Sequence, residues 1–383
     1  MQDSMLKVFH DVATSLSTRF VEQWKGDGKQ IVGFTCSYVP EEIISAAGLF
    51  PFRMRGIGVT STSIADTYFG PVICSFPKCI LQLAGEGKYD FLDGVILTPG
   101  CDSIRRVDEC WRKAAEDLHG TFPRFHLYYG VPHKVTDYSL EWFVEETRNL
   151  LESIEGHFGI TITSDDLREA IREYNRGRVL LMKLDELRVR EHVPITGTDA
   201  TAVVISANAL PRNTFNHLLE DLINELDQKK DGIRGQKRLM LSGSANDDID
   251  LVRLIESAGG MVVADTLCFG SRSYIDLVDE DGDPVLGIAK RYLSHTMCPR
   301  MFGYYKQRLA FMQERIRKAR IDGVILQNIR FCDMHGSENS LYERDLEAMG
   351  IPCLRLEREY GPLVEEGRIK MRLDAFMESL NAD

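Results

Sequence analysis

The chain has 383 residues, 44% hydrophobic and 27% charged, a length that calls for more than one core and a composition ordinary for a globular protein. Its formal net charge of −12 argues against nucleic acid as a partner, since phosphate binding needs clustered Lys and Arg. The short basic groups, Lys229-Lys230 and residues 315–320, read as solvated helix faces. No apolar run approaches the roughly 18 residues a membrane helix needs, and MQDSMLKVFHDVATSLSTRF lacks the apolar stretch of a signal peptide, so a cytoplasmic location without membrane attachment is expected.

Taken in chain order, the pattern predicts a helix over 6–24 that packs across one domain. A short strand follows over 31–34. Pro40-Glu41-Glu42 then starts a helix, with Pro preset for the first turn and acids near its positive end, and Gly48 stops it. DGVIL (93–97) is a core strand, and FHLYYGVP is another. A long helix is predicted over 164–190 and a further one over 213–228, before a polar linker at 228–237. Then RLMLSG is a strand, DDIDLVRLIESAG a helix and GMVVAD a strand. A second DGVIL (322–326) and IPCLRLERE complete the strands.

The halves echo each other. ADTYFG (65–70) answers ADTLCFG (264–270), and each DGVIL is soon followed by Cys-Asp, at Cys101-Asp102 and Cys332-Asp333. Strands alternating with helices imply mainly parallel sheets covered on both faces. The expected fold class is therefore α/β: two doubly wound, Rossmann-like parallel-sheet domains related by internal duplication, with additional helical segments. The expected divisions are 1–160 (with the leading helix), 161–235 (helical) and 236–383.

Nine cysteines are present. In open parallel sheets ligands bind at the carboxyl ends of strands, and Cys36, Cys101, Cys268 and Cys332 each follow a predicted strand. Cys74 sits in the Gly/Pro-bounded GPVICSFPKC, five residues before Cys79, and Cys298 in HTMCPR. Cys110 and Cys353 read as core packing. No CxxC pair exists, so the strong zinc and ferredoxin spacings are absent, and spacing alone leaves buried apolar thiols as the other reading. There is no GxxxxGK[ST] and no GxGxxG after a strand, so no ATP or dinucleotide motif. Asp102 and Asp333 are expected to cap the helices that begin there.

GFTCSYVPEEIISAAGLFPFRM, YDFLDGVILTPGCDSIRR, LDELRVREHVPITGTDA and FCDMHGSENSLYERDLEAMGIPCLRLEREYG, in this order, resemble the benzoyl-CoA reductase / 2-hydroxyacyl-CoA dehydratase family over nearly the whole chain. The second and last segments look most like the smaller cluster-binding subunit of ATP-dependent benzoyl-CoA reductase. The sequence departs from the dehydratase pattern at Cys74-Ser75-Phe76-Pro77-Lys78-Cys79, where that pattern has Cys-Pro and then Lys-Ser.

The resemblance implies an oxygen-sensitive iron–sulfur subunit. Cys74, Cys101 and Cys332 match positions that ligate a [4Fe–4S] cluster. Cys36, Cys268 and Cys298 match further family cysteines that could complete a double-cubane [8Fe–9S] group. It also implies an acyl-CoA substrate, a second cluster-binding subunit, and an ATP-hydrolysing activator fed by ferredoxin. The expected activity is reductive dearomatisation in anaerobic aromatic degradation. The alternatives are a 2-hydroxyacyl-CoA dehydratase subunit and a stand-alone double-cubane reductase of small molecules. His335 and Glu338, close after Cys332, are candidate proton donors. Arg105 and Arg106, beside Cys101, would tune a cluster or contact an acyl-CoA phosphate, or else form a helix-surface pair.

Overall fold

The computed structural model describes residues 2–118, 122–229, 231–361, 363 and 365–382; Lys230, half of one basic pair, lies outside them. The first half runs α1 (Gln2–Thr14), α2 (Arg19–Gly26), β1 (Ile31–Phe34), α3 (Glu41–Ala46), β2 (Phe50–Arg53), α4 (Ser75–Gly85), β3 (Gly94–Leu97), α5 (Asp102–Asp117) and β4 (Phe125–Tyr128). Four helices follow: α6 (Asp137–Phe158), α7 (Ser164–Arg188), α8 (Gly197–Ser206) and α9 (Arg212–Asp227). The second half runs β5 (Lys237–Gly243), α10 (Ile249–Ser257), β6 (Gly260–Thr266), α11 (Pro284–Leu293), α12 (Tyr305–Ala319), β7 (Gly323–Ile329), α13 (Asp333–Glu347), β8 (Cys353–Arg358) and α14 (Glu366–Ala382).

Two four-stranded parallel sheets result, ordered β2-β1-β3-β4 and β6-β5-β7-β8. The orders are the same, strand for strand, as a duplicated unit predicts. β1, β2, β3 and β6 are buried along their whole length, because helices cover both faces of each sheet. In each sheet the direction of winding reverses between the two central strands, β1/β3 and β5/β7. This opens a crevice at their carboxyl ends.

Local chemistry fixes the ends of several helices. Thr163 and Asp166 form a reciprocal capping box at the start of α7. Pro284 opens α11 after the Asp283 cap. Gly159, at φ 66°, ends α6.

The predicted helix over 6–24 is instead two helices. The carbonyls of Val12, Ala13 and Ser15 at the break accept hydrogen bonds from the buried Arg55 guanidinium, and Thr18 caps α2. This capture replaces the helical bonds that a continuous rod would make. The ADT echo also separates in three dimensions: residues 65–67 form a single 3-10 turn, whereas residues 264–266 end β6. The DGVIL echo holds, since both copies form the equivalent inner strands β3 and β7.

A candidate metal centre lined by six thiols

Cys36, Cys74, Cys101, Cys268, Cys298 and Cys332 all line one cavity of about 680 Å3, part of it open to solvent, between the carboxyl edges of the two sheets. Among the described residues no Asp or Glu lines it. Cys79, Cys110 and Cys353 are not on its wall; their sulfurs approach the carbonyls of Tyr360, Tyr68 and Ile351.

The six divide by their backbone setting. Cys74, Cys101 and Cys332 are the N-cap residues of α4, α5 and α13. This corrects the expectation for Asp102 and Asp333, which are the first residues inside their helices. The reason is visible at Cys101, whose sulfur accepts the Ile104 N–H at 3.5 Å and so does the capping itself. Cys74 and Cys332 make no such side-chain cap bond, but the Ser103 and Ser244 hydroxyls and the nearby backbone N–H groups of Phe76 and His335 favour their charged forms. Three helix N-termini thus point their positive ends at three sulfurs. Phe331, just before Cys332, takes the left-handed conformation at φ 64°, rare for a bulky residue.

Cys36, Cys268 and Cys298 sit in turns. Cys36 follows β1, where its carbonyl accepts from Val39. Cys268 follows β6, and the Cys298 carbonyl accepts from Met301. Gly100 lets the loop before Cys101 close on this group, because a Cβ there would lie 3.1 Å from the Cys36 sulfur.

As free thiols, Cys74, Cys101, Cys298 and Cys332 resist ionisation. Burial pushes Cys74 up to about 12, with the neighbouring Cys332 adding to it. Burial and Cys74 push Cys101 well above the ordinary thiol range. Cys332 is raised by burial against the pull of Ser244. Cys298 is raised by burial against the pull of Arg272. Crowded buried thiols become thiolates when a metal takes the place of the protons.

Two further observations bear on what the cavity suits. Among the described residues no three His, Cys, Asp or Glu side chains come close enough to hold one metal ion. Thr35 Oγ1, Arg53 Nε and Arg272 Nε, on the cavity-lining residues, are buried without a hydrogen-bond partner among the described residues. Six soft sulfur donors with unused N–H and O–H groups beside them are the kind of lining a sulfur-rich group requires.

The other sequence candidates divide. His335 lines the cavity, and its basicity is pushed well below that of an ordinary imidazole by burial and by Arg272 and Arg308. Glu338 lies in an adjoining small pocket, clamped by the Arg308 guanidinium and bonded by Tyr342 Oη at 3.2 Å. Arg105 and Arg106 are exposed on α5 and pair within their own helix, with Asp102 at 3.7 Å and Glu109 at 2.6 Å. The arginines on the wall are Arg53 and Arg272, which the sequence reading missed. Arg53 stands within PFRM and Arg272 within FGSRSY, strings that carry no motif. The only available signal was position, since both follow or end strands at the same sheet edge as the cysteines.

Residues 36–380 match the protein family described as 2-hydroxyglutaryl-CoA dehydratase, D-component. The chain is 25% identical over 379 residues to the (R)-phenyllactyl-CoA dehydratase beta subunit of Clostridium sporogenes, covering 99% of each. It is 27% identical over 320 residues to one of the benzoyl-CoA reductase subunits of Thauera aromatica, 81% of each. It is 24% identical over 382 residues to the (R)-2-hydroxyglutaryl-CoA dehydratase beta subunit of Acidaminococcus fermentans, 98% of this chain and 99% of that one.

Proposed function

This chain belongs to the 2-hydroxyglutaryl-CoA dehydratase, D-component, family, and from that premise we propose that it is an iron–sulfur oxidoreductase with a double-cubane group. In this reading Cys74, Cys101 and Cys332 hold one cubane, and Cys36, Cys268 and Cys298 hold the other. The observation that carries it is the convergence of six thiols, in two sets of three, on one cavity free of carboxylates among the described residues. When bound, the group supplies low-potential electrons for reducing an acyl thioester or another small unsaturated substrate.

The chain's own residues then have defined tasks. The three helix N-termini favour thiolates over thiols on one side. Phe76, Ile104, Ile329 and Met334 line the cavity with apolar surface and limit water. His335 is neutral and serves as a hydrogen-bond group rather than a standing cation. Nucleotide hydrolysis falls to a separate activator with ferredoxin, since this chain carries no phosphate-binding loop.

A second reading is a subunit with a single cubane on Cys74, Cys101 and Cys332, working beside another cluster-binding subunit on an acyl-CoA. The shared N-cap setting of those three favours it, and so do relatives named as dehydratase and reductase subunits. Iron and acid-labile sulfide per chain, measured on protein purified without oxygen, separate the two. About eight irons support the double cubane, and about four support the single one. Folded protein without iron rejects both.

A further inference from the structure

Several buried arginines in this protein are matched by acids. Arg178 pairs with Glu42, Arg188 with Asp265, and Arg308 with Glu338. Others spread their donors over backbone carbonyls, as Arg55 does with three and Arg300 with four. Arg53 and Arg272 do neither. Each is 2% exposed. Each guanidinium has five N–H donors but makes one hydrogen bond among the described residues: Arg53 Nη1 to the Cys268 carbonyl at 2.7 Å, Arg272 Nη1 to the Met297 carbonyl at 3.2 Å. Both Nε atoms lack a partner, and among the described residues neither side chain has a carboxylate ion pair. Glu41 acts on Arg53 only beyond contact distance; burying charges without a contacting acid is costly, so the two call for an anionic neighbour.

Their placement identifies that neighbour. Both line the six-thiol cavity, on the side of Cys268 and Cys298. The single bond of each fixes a cysteine-bearing turn, at Cys268 itself and at the residue before Cys298. Phe269 holds Arg53 in place, with its ring centre 3.5 Å from the guanidinium carbon. Among the described residues none of Cys36, Cys268 and Cys298 is the N-cap of a helix, unlike Cys74, Cys101 and Cys332.

We propose that Arg53 and Arg272 are the counter-charge for the sulfur-rich group held by Cys36, Cys268 and Cys298, standing in for the helix ends that serve the other three cysteines. They are positioning residues: their free N–H donors and charge stabilise the more negative, reduced state and so raise its potential. The electron comes from an external one-electron donor, and no bond is made or broken in this step. The inference rests on the iron–sulfur reading above.

The test uses the full-length chain, purified without oxygen, as wild type and as Arg53→Gln, Arg53→Lys, Arg272→Gln and Arg272→Lys. Iron and sulfide are counted, and the midpoint is found by titration with titanium(III) citrate under EPR. The Gln variants are expected to keep wild-type iron but to titrate at more negative potential. Their reduced-to-oxidised ratio at fixed potential falls about tenfold or more, about 59 mV for one electron. The Lys variants, which keep the charge, stay nearer wild type. A merely structural role would lower thermal stability and leave the midpoint in place; Gln variants with full iron and an unmoved midpoint overturn the proposal. Wild type without iron rejects the underlying reading and the inference with it. Should the Gln variants lose iron, wild-type protein labelled with 15N-arginine decides. Coupling of a guanidinium nitrogen to the reduced electron spin supports the proposal, and its absence overturns it.

Discussion

Arg300 Nε donates to the Gly100 carbonyl at 2.9 Å, tying the turn that bears Cys298 to the loop that bears Cys101. Its other nitrogens reach the carbonyls of Pro99, Val131 and Pro132, so one guanidinium from the second half closes two loops of the first. Arg300→Ala leaves these carbonyls without their donor and is expected to cost about 3 kcal/mol or more. Urea unfolding followed by circular dichroism measures this. A loss under about 1 kcal/mol would show that water replaces the guanidinium adequately.

Substitution of single cysteines should separate cavity wall from core. Cys101→Ser or Cys332→Ser is expected to lower iron from about eight per chain to about four or fewer. Cys110→Ser and Cys353→Ser should leave the iron unchanged, since both sulfurs lie away from the cavity. Equal iron loss in both sets would remove the distinction.

The Glu42 carboxylate is fully buried and accepts from Arg178 at 2.5 Å and from Tyr292 Oη at 2.8 Å, joining α3, α7 and α11. Glu42→Ala strands the Arg178 charge and is expected to destabilise by about 3–5 kcal/mol. Removing both charges, in Glu42→Leu with Arg178→Leu, should recover much of that loss. A double variant no more stable than the single one contradicts this account of the pair.

His295 is 1% exposed, and its ring nitrogens have no hydrogen-bond partner among the described residues; the nearest acid, Asp276, is 3.9 Å away. Burial lowers its pKa to about 4, with Arg291 and Arg272 adding to the shift and Asp276 opposing it. The unfolded chain therefore binds this proton more readily than the folded one. Stability is full above pH of about 6.5 and declines as the pH falls toward 4, by up to about 3 kcal/mol. In His295→Asn, unfolding free energies measured from pH 7 to 4 should have a shallower slope than wild type. Parallel slopes would mean that the histidine does not titrate in this range.

The fold was legible because its signals are local. Buried parallel strands read as short apolar runs, and the repeated DGVIL marks equivalent inner strands. Four of the six cavity cysteines were found from one rule, that ligands gather at strand carboxyl ends, while Cys74 and Cys298 stood out through Gly and Pro neighbours and the family resemblance. What sequence could not supply were partners made by closure of the chain. Arg55 breaks the leading helix from about forty residues downstream. Glu338 is engaged by Arg308, thirty residues before it. Arg53 and Arg272 look like ordinary charges until burial strips them of acids. The cysteine caps were missed because Asp is the stronger capping residue by propensity, whereas here the backbone turns one residue earlier.

The six thiols come from positions 36 to 332, on both sheets, and their cavity has no wall until the second half has folded against the first. A nascent chain emerging in order presents Cys36, Cys74 and Cys101 long before Cys332 exists. Whatever fills the cavity can therefore meet all six thiols only once the last of them has been synthesised. Completion of this wall is thus tied to completion of the chain itself.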